Sequence, residues 1–266
     1  MTSAFEEDTA VTAEGSGVYR ALVTDRWSIG GRPNGGYLMG IVLRAIAEES
    51  GMTEPLTTTA HFLAPADPGP TMVSVEMVKK GRTVSTARAT LSQGDRQKVL
   101  LMVTLGDLDA QSGPTQLLSS PPHLPSDLVS SQGRPAPHPI VERFEFLLPT
   151  EQAQVADGVT TPQPGRAEFA GKIRFADGYQ PTLLALPLLV DAYPPAIFNL
   201  GLIGWTPTLE LTVHTRGRPQ GEWFILRVHT RFLINGTLDE DAELWNEDGT
   251  LVAQSRQLAR VLVLPS

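Results

Sequence analysis

One pattern constrains this chain more than any other: a helix-forming run followed by several β-rich runs occurs twice, in the same order, on either side of a stretch dense in proline and serine. In the first half, Asn34-Gly35-Gly36 stands ahead of YLMGIVLRAIAEES, where Leu38, Ile41, Val42, Ala45 and Ile46 recur at helical spacing until Gly51 stops the run. LTTTAHFL, MVSVEMV, TVSTARATL and QKVLLMVTL then read as strands, the last three joined by KKGR and QGDR turns. In the second half PTLLALPLLVDAY is the helix candidate, and TPTLELTVHT, EWFILRVHTRFLI, LDEDAELW and TLVAQSRQLARVLVL follow as strands. Asn235-Gly236 and Asp248-Gly249 mark tight hairpin turns there, since both dipeptides tolerate positive φ.

The separator, residues 112–139, reads as a linker, which divides the chain into a first unit at 1–110, a connecting stretch at 111–140 and a second unit at 141–266. One apolar helix with an antiparallel sheet curled around it, made twice, is an α+β arrangement in which two tandem repeats form one continuous sheet. A ferredoxin-like or other α+β pair produces similar runs, so periodicity alone leaves the wrapping and the strand register open.

Composition removes several function classes. The formal charge of -8 over 266 residues opposes broad attraction to nucleic acid or anionic membrane, so a phosphate-bearing ligand needs a local basic cluster such as Lys79, Lys80 and Arg82. With no cysteine there is no disulfide, thiolate metal site or cysteine nucleophile. The acidic start MTSAFEEDTAVTAEGSGVYR does not resemble a secretory signal, and no run reaches the length of a membrane span, which points to a cytoplasmic protein. HExxH, Walker A and dinucleotide glycine motifs are missing, so no metal and no cofactor is expected. His61, His214 and His229 fall in strands without a GxSxG elbow beside them.

Five segments carry a resemblance: GRPNGGYLMGIVLRA (31–45), AHFLAPADPG, KKGRTVSTARATLSQ, LELTV and DGTLVAQSRQLA. In this order they resemble the thioesterase II (TesB-like) acyl-CoA thioesterases and their double-hotdog relatives, over roughly residues 20–108 and 180–263. The resemblance implies a double hotdog fold, an acyl-CoA substrate, and a trio of carboxylate, hydroxyl and amide that orients a water against the thioester carbonyl. Laid on the family pattern, LELTV puts Glu210 where an aspartate is usual, EWFILRVHTRF puts Thr230 or its neighbour at the hydroxyl position, and DGTLVAQSRQLA puts Gln257 at the amide position. Tyr37 stands where the family has a glutamine.

Thioester hydrolysis passes through an oxyanion, and a helix start offers unpaired N–H groups and a positive dipole end to meet it. Asn34, Gly35, Gly36 and Tyr37 are therefore substrate-binding candidates, with the Gly36 and Tyr37 amides as oxyanion donors, although the same triplet also fits a plain helix cap. Arg82 is the candidate for a CoA phosphate. Strand alternation places Gln257 with Leu251, Ala253, Ser255, Ala259, Val261 and Val263, and Thr230 with Phe224, Leu226, Val228 and Phe232. Glu210 alternates with Thr208, Thr212 and His214, opposite the apolar Leu209, Leu211 and Val213. Two rival readings remain: a non-catalytic acyl or CoA binder, and an enoyl-CoA hydratase, for which no histidine lies between Asp25 and Gly51. A homodimer stays open, since two halves in one chain already supply a paired sheet.

Overall fold

A computed structural model describes residues 2–134, 136–158 and 166–262. The first half runs α1 (Ala4–Asp8), β1 (Val11–Gly15), β2 (Val18–Val23), the short pair β3 (Ser28–Ile29) and β4 (Arg32–Pro33), α2 (Gly35–Ser50), β5 (Pro55–Phe62), β6 (Gly69–Lys79), β7 (Ser85–Gln93) and β8 (Arg96–Leu105). The second half runs β9 (Leu128–Ser130), β10 (Phe144–Pro149), α3 (Thr150–Ala156), β11 (Glu168–Phe175), α4 (Leu186–Val190), β12 (Thr208–Thr215), β13 (Phe224–His229), β14 (Leu233–Ile234), β15 (Thr237–Asn246) and β16 (Leu251–Arg260). One-turn 3-10 segments at Leu183–Ala185 and Ala196–Leu200 flank α4.

All the named strands except the separate β3–β4 pair join one antiparallel sheet in the order β1-β2-β6-β7-β8-β5-β12-β16-β15-β13-β11-β10-β9, with β14 beside β15. The two halves meet where β5 pairs with β12, in a register that sets Thr59 against Thr212 and His61 against Glu210. α2 packs on β5 to β8, α4 packs on β12, β15 and β16, and the two helices touch each other. This is the double hotdog expected from the sequence. Within the stretch read as a linker, Leu128–Ser130 adds β9 to the sheet edge through pairing with β10.

Local chemistry explains the helices. Asn34 caps α2 by accepting the Tyr37 N–H at 2.9 Å, and Gly51 ends it at φ 69 with its N–H on the Ala47 carbonyl. Nearly every side of α2 is covered, so Ile41, Val42 and Ile46 are each worth roughly 1.5–3 kcal/mol over exposure. Gly36 is required by the crossing: a Cβ there would lie 2.3 Å from the Pro187 carbonyl oxygen of α4. The hairpin at Asn235-Gly236 has both residues at positive φ, 51 and 74, whereas at Asp248-Gly249 only the glycine, at 87, adopts it.

The segment ahead of the repeat also packs into the core. Phe5 meets Phe175 at 6.1 Å and Trp27 meets Phe144 at 6.1 Å between ring centroids, so aromatic rings from the chain start tie the first half to the second.

Candidate active site

A cavity of about 680 Å³ opens where the start of α2, the loop after α4, and the ends of β12 and β16 converge. Its polar wall holds Asn34, Gly35, Asp191, Thr208, Glu240 and Gln257, and the rest is mostly apolar, with Leu38, Phe62, Phe146 and Leu148 among the lining side chains. Val129, Ile140 and Val141 from the stretch after residue 111 complete that apolar wall.

Asp191 is the centre of the arrangement. α4 stops at Val190, with Pro194-Pro195 following to prevent its continuation, and the next residue turns its carboxylate toward α2. Asp191 Oδ2 accepts the Gly36 N–H at 3.0 Å and the Asn34 Nδ2 at 2.9 Å. Asn34 thereby works at both ends of its amide, since its Oδ1 caps the helix while its Nδ2 holds the carboxylate. Burial pushes the Asp191 carboxyl up to about 6, against the opposing pull of the Gly36 N–H and the Asn34 amide. A carboxylate near that value is a stronger base than an ordinary surface aspartate.

Three further groups form a hydrogen-bonded chain beside it. The Thr208 hydroxyl donates to Gln257 Oε1 at 2.7 Å, Gln257 Nε2 donates to Glu240 Oε1 at 2.6 Å, and the Ala196 N–H donates to Glu240 Oε2 at 2.6 Å. Glu240 is 6% exposed, and burial raises its carboxyl to about 7, with the nearby charges of Asp191 and Asp239 adding to the rise.

The structure brings Asn34, Gly35 and Gln257 of the expected residues into the cavity wall and leaves the others outside it. A β-bulge separates Thr208 from Glu210: Thr208 pairs with Ala259 and Glu210 with the adjacent Leu258, so Leu209 is the extra residue on β12. Thr208 consequently shares the cavity face with Gln257 and Ala259, while Glu210 lies on the other face, where the Thr212 hydroxyl donates to it. The bulged Leu209 is 38% exposed and also lines the cavity.

Thr230 follows β13 with its N–H on the Ala167 carbonyl and its hydroxyl buried without a partner among the described residues; it does not line the cavity. Gly36 and Tyr37 are corrected as oxyanion donors, because the Gly36 N–H is already taken by Asp191 and the Tyr37 N–H by Asn34 Oδ1. Tyr37 is instead a core residue, stacked on Trp27 at 5.7 Å, its hydroxyl donating to the Asp8 carbonyl at 3.0 Å. Gly35 lines the cavity, and its N–H makes no hydrogen bond among the described residues.

Arg82 lies in the exposed β6–β7 turn, level with the Pro55 end of β5, whereas Phe62 at the other end of β5 lines the cavity. At about 3.3 Å per residue the strand separates them by about 23 Å. The cations at the cavity rim are Arg32, paired with Asp67, and Arg134, paired with Asp157. His61, His214 and His229 are not cavity residues; His138 is, with its Nδ1 accepting the Gly30 N–H at 3.3 Å. Val263 lies outside the described residues. Among the described residues no cluster of three or more His, Asp or Glu is arranged to hold a metal ion, and no helix is long and apolar enough to cross a membrane.

Two of the missed acids had a signal in the sequence. Asp191 is the one charged residue in LLALPLLVDAYPPAIF, and Glu240 alternates with Leu238, Ala242 and Leu244 on an apolar strand face. A carboxylate in either setting costs several kcal/mol unless it is partnered, so each marks a site of special purpose. Thr208 had no such signal, because a bulge cannot be read from alternation.

Residues 23–106 match the family described as the Acyl-CoA thioesterase N-terminal domain, and residues 120–261 match the Acyl-CoA thioesterase C-terminal domain. Among solved structures, a candidate thioesterase II from Thermobifida fusca YX is 30% identical with a TM-score of 0.87, over 98% of each chain. A protein with a hot dog fold from Alicyclobacillus acidocaldarius is 20% identical with a TM-score of 0.86 over the whole of both chains, which bears on the fold alone. The thioesterase-like protein TwmA of Talaromyces wortmannii is 28% identical over 97% of this chain and 92% of its own.

Proposed function

Because the chain belongs to the acyl-CoA thioesterase family, we propose that it hydrolyses an acyl-CoA to the free acid and CoA with a water activated by Asp191 and positioned by Thr208 and Gln257. The observation that carries this reading is Asp191 itself: a carboxyl raised to about 6, held against the first turn of α2, in the wall of a largely apolar cavity.

The chemistry follows from hydrogen-bond valence. Asp191 Oδ2 is occupied by two donors, which leaves Oδ1 to take one proton of the water. Thr208 gives its own proton to Gln257, so its oxygen lone pairs face the cavity and accept the second water hydrogen. With both hydrogens engaged, the water lone pair is free to attack the thioester carbonyl carbon. The developing oxyanion meets the unused Gly35 N–H at the positive end of α2. As the intermediate collapses, the C–S bond breaks and the proton taken by Asp191 passes to the departing thiolate. Leu38, Phe62, Phe146 and Leu148 receive the acyl chain, and Arg32 and Arg134, rather than Arg82, stand where a CoA phosphate would meet cations.

The test is thiol release from a panel of acyl-CoAs of differing chain length, by the wild-type chain and by Asp191→Asn. The asparagine keeps an acceptor for Gly36 and Asn34 and removes the base. Turnover by wild type and its loss in the variant support the proposal; an Asp191→Asn variant that releases thiol at the wild-type rate rejects it. Binding without turnover by the wild type would favour the non-catalytic reading.

A further inference from the structure

We infer that Glu240 is a positioning residue for this reaction, acting through Gln257 to set the direction in which the Thr208 hydroxyl faces the attacking water. The inference rests on the hydrolytic reading above.

Donors and acceptors alternate along this short chain, and one end fixes the rest. The Ala196 N–H can only donate, so Glu240 Oε2 must remain an acceptor and any proton on this carboxyl resides on Oε1. When Glu240 is ionised, Oε1 is an acceptor as well, and Gln257 must present its NH2 to it. The Gln257 carbonyl then faces Thr208, which gives up its proton to it and turns lone pairs toward the cavity. That polarity suits hydrolysis, because the water needs two acceptors for its hydrogens.

A proton on Oε1 reverses every link. Oε1 now donates, the Gln257 amide must turn its carbonyl toward Glu240, and its NH2 faces Thr208. Thr208 becomes the acceptor of that bond and aims its own O–H into the cavity, where it engages the water lone pair that should attack. The switch requires no backbone movement, only rotation of one amide and one hydroxyl.

The surroundings keep Glu240 near this balance. Asp191, from the loop after α4, and Asp239, on the same strand, disfavour its charge in addition to burial, while the Ala196 N–H and the Gln257 amide favour it. Arg231, after β13, and Arg256, on β16, both pair with Asp241.

Glu240→Gln tests the idea with an isosteric change. The Ala196 N–H still demands an oxygen, so the new amide presents its NH2 to Gln257 and imposes the reversed polarity at every pH. The expected result is a kcat roughly 10- to 100-fold lower, the scale of a misplaced reacting group, with KM little changed. In a Thr208→Ala background the same substitution should have almost no further effect, since the relay then has no end point. A readout that leaves Glu240 in place is the pH profile: Thr208→Ala should delete the higher of the two ionisations on the acid limb of kcat and leave that of Asp191. Unchanged kcat and pH profile in a folded Glu240→Gln variant would overturn the inference. So would effects of Glu240→Gln and Thr208→Ala that multiply, or an acid limb that Thr208→Ala does not alter. A wild-type chain that releases no thiol defeats the hydrolytic reading itself, and the wild-type rate distinguishes that failure from a failure of the relay.

Discussion

The helices of the two halves occupy matching places in the sheet and are held in opposite ways. α2 has a side-chain cap from Asn34, a left-handed glycine at its end and 16 residues between them. α4 has no side-chain cap, carries Pro187 in its first turn and keeps only 5 helical residues before Pro194-Pro195 forces the chain to turn. The long copy contributes a fixed amide end, and the short copy contributes a carboxylate at the point where it stops. A repeated fold thus becomes an asymmetric site through unequal helix lengths.

The largest expected effect comes from removing what the short helix supplies. Asp191→Asn should lower thiol release by about 100- to 10,000-fold, the range for loss of a general base. The same variant should be more stable than the wild type above pH 6, and a thermal melt at two pH values checks it. Because the folded Asp191 carboxyl sits at about 6, well above its value in an unfolded chain, the folded state holds the extra proton. Its contribution is complete below the unfolded value of about 4 and is lost as pH rises through about 6. A neutral asparagine avoids that loss, for a gain of roughly 1–2 kcal/mol at pH 8. Wild-type activity should correspondingly fall on the acid side in two steps, the first as Glu240 takes up a proton near pH 7 and the second as Asp191 is protonated near pH 6.

The next effect strikes the contact between the helices. Gly36→Ala gains up to about 1 kcal/mol of helix propensity. It also puts a Cβ 2.3 Å from the Pro187 oxygen and 2.6 Å from the Leu188 Cα, both backbone atoms that cannot rotate away. The clash outweighs the propensity, and a net loss of about 2–4 kcal/mol is expected in denaturant unfolding. Because Gly36 also holds Asp191, activity should fall with it.

What the sequence disclosed follows the same division. The capped helix α2, the strand runs and the inward-facing Gln257 were legible because local periodicity and cap chemistry determine them. Asp191 was written in plain view as a lone acid in an apolar run, but its purpose depends on a contact with Asn34 and Gly36, 155 or more residues away. The resemblance, laid on LELTV, assigns the carboxylate to Glu210, which alternation already sets opposite the apolar side of β12; what the bulge at Leu209 hides is Thr208, which it brings to the cavity face.

The hydroxyl role, held by Thr208 rather than Thr230, can be tested directly with this pair of threonines. Thr208→Ala should cost about 10- to 100-fold in kcat, since its oxygen receives a water hydrogen. Thr230→Val should leave activity unchanged. It should keep or slightly raise stability, because the buried Thr230 hydroxyl has no partner among the described residues to lose.

The smallest effects expected are those of Glu210→Gln and Arg82→Ala. Glu210 receives the Thr212 hydroxyl on the face turned away from the cavity, and the Thr212 hydroxyl in turn lies 2.9 Å from that of Thr59 across the seam between the halves. Substituting glutamine keeps an acceptor for Thr212, so neither the seam nor the reaction should register it. Arg82 is an exposed turn residue about 23 Å along the strands from the cavity end. Both variants should turn over within about twofold of wild type, as surface changes remote from a site do. A large loss in Glu210→Gln alone would move the base to the outer face of β12, and the asymmetry between the two helices would then have no part in catalysis.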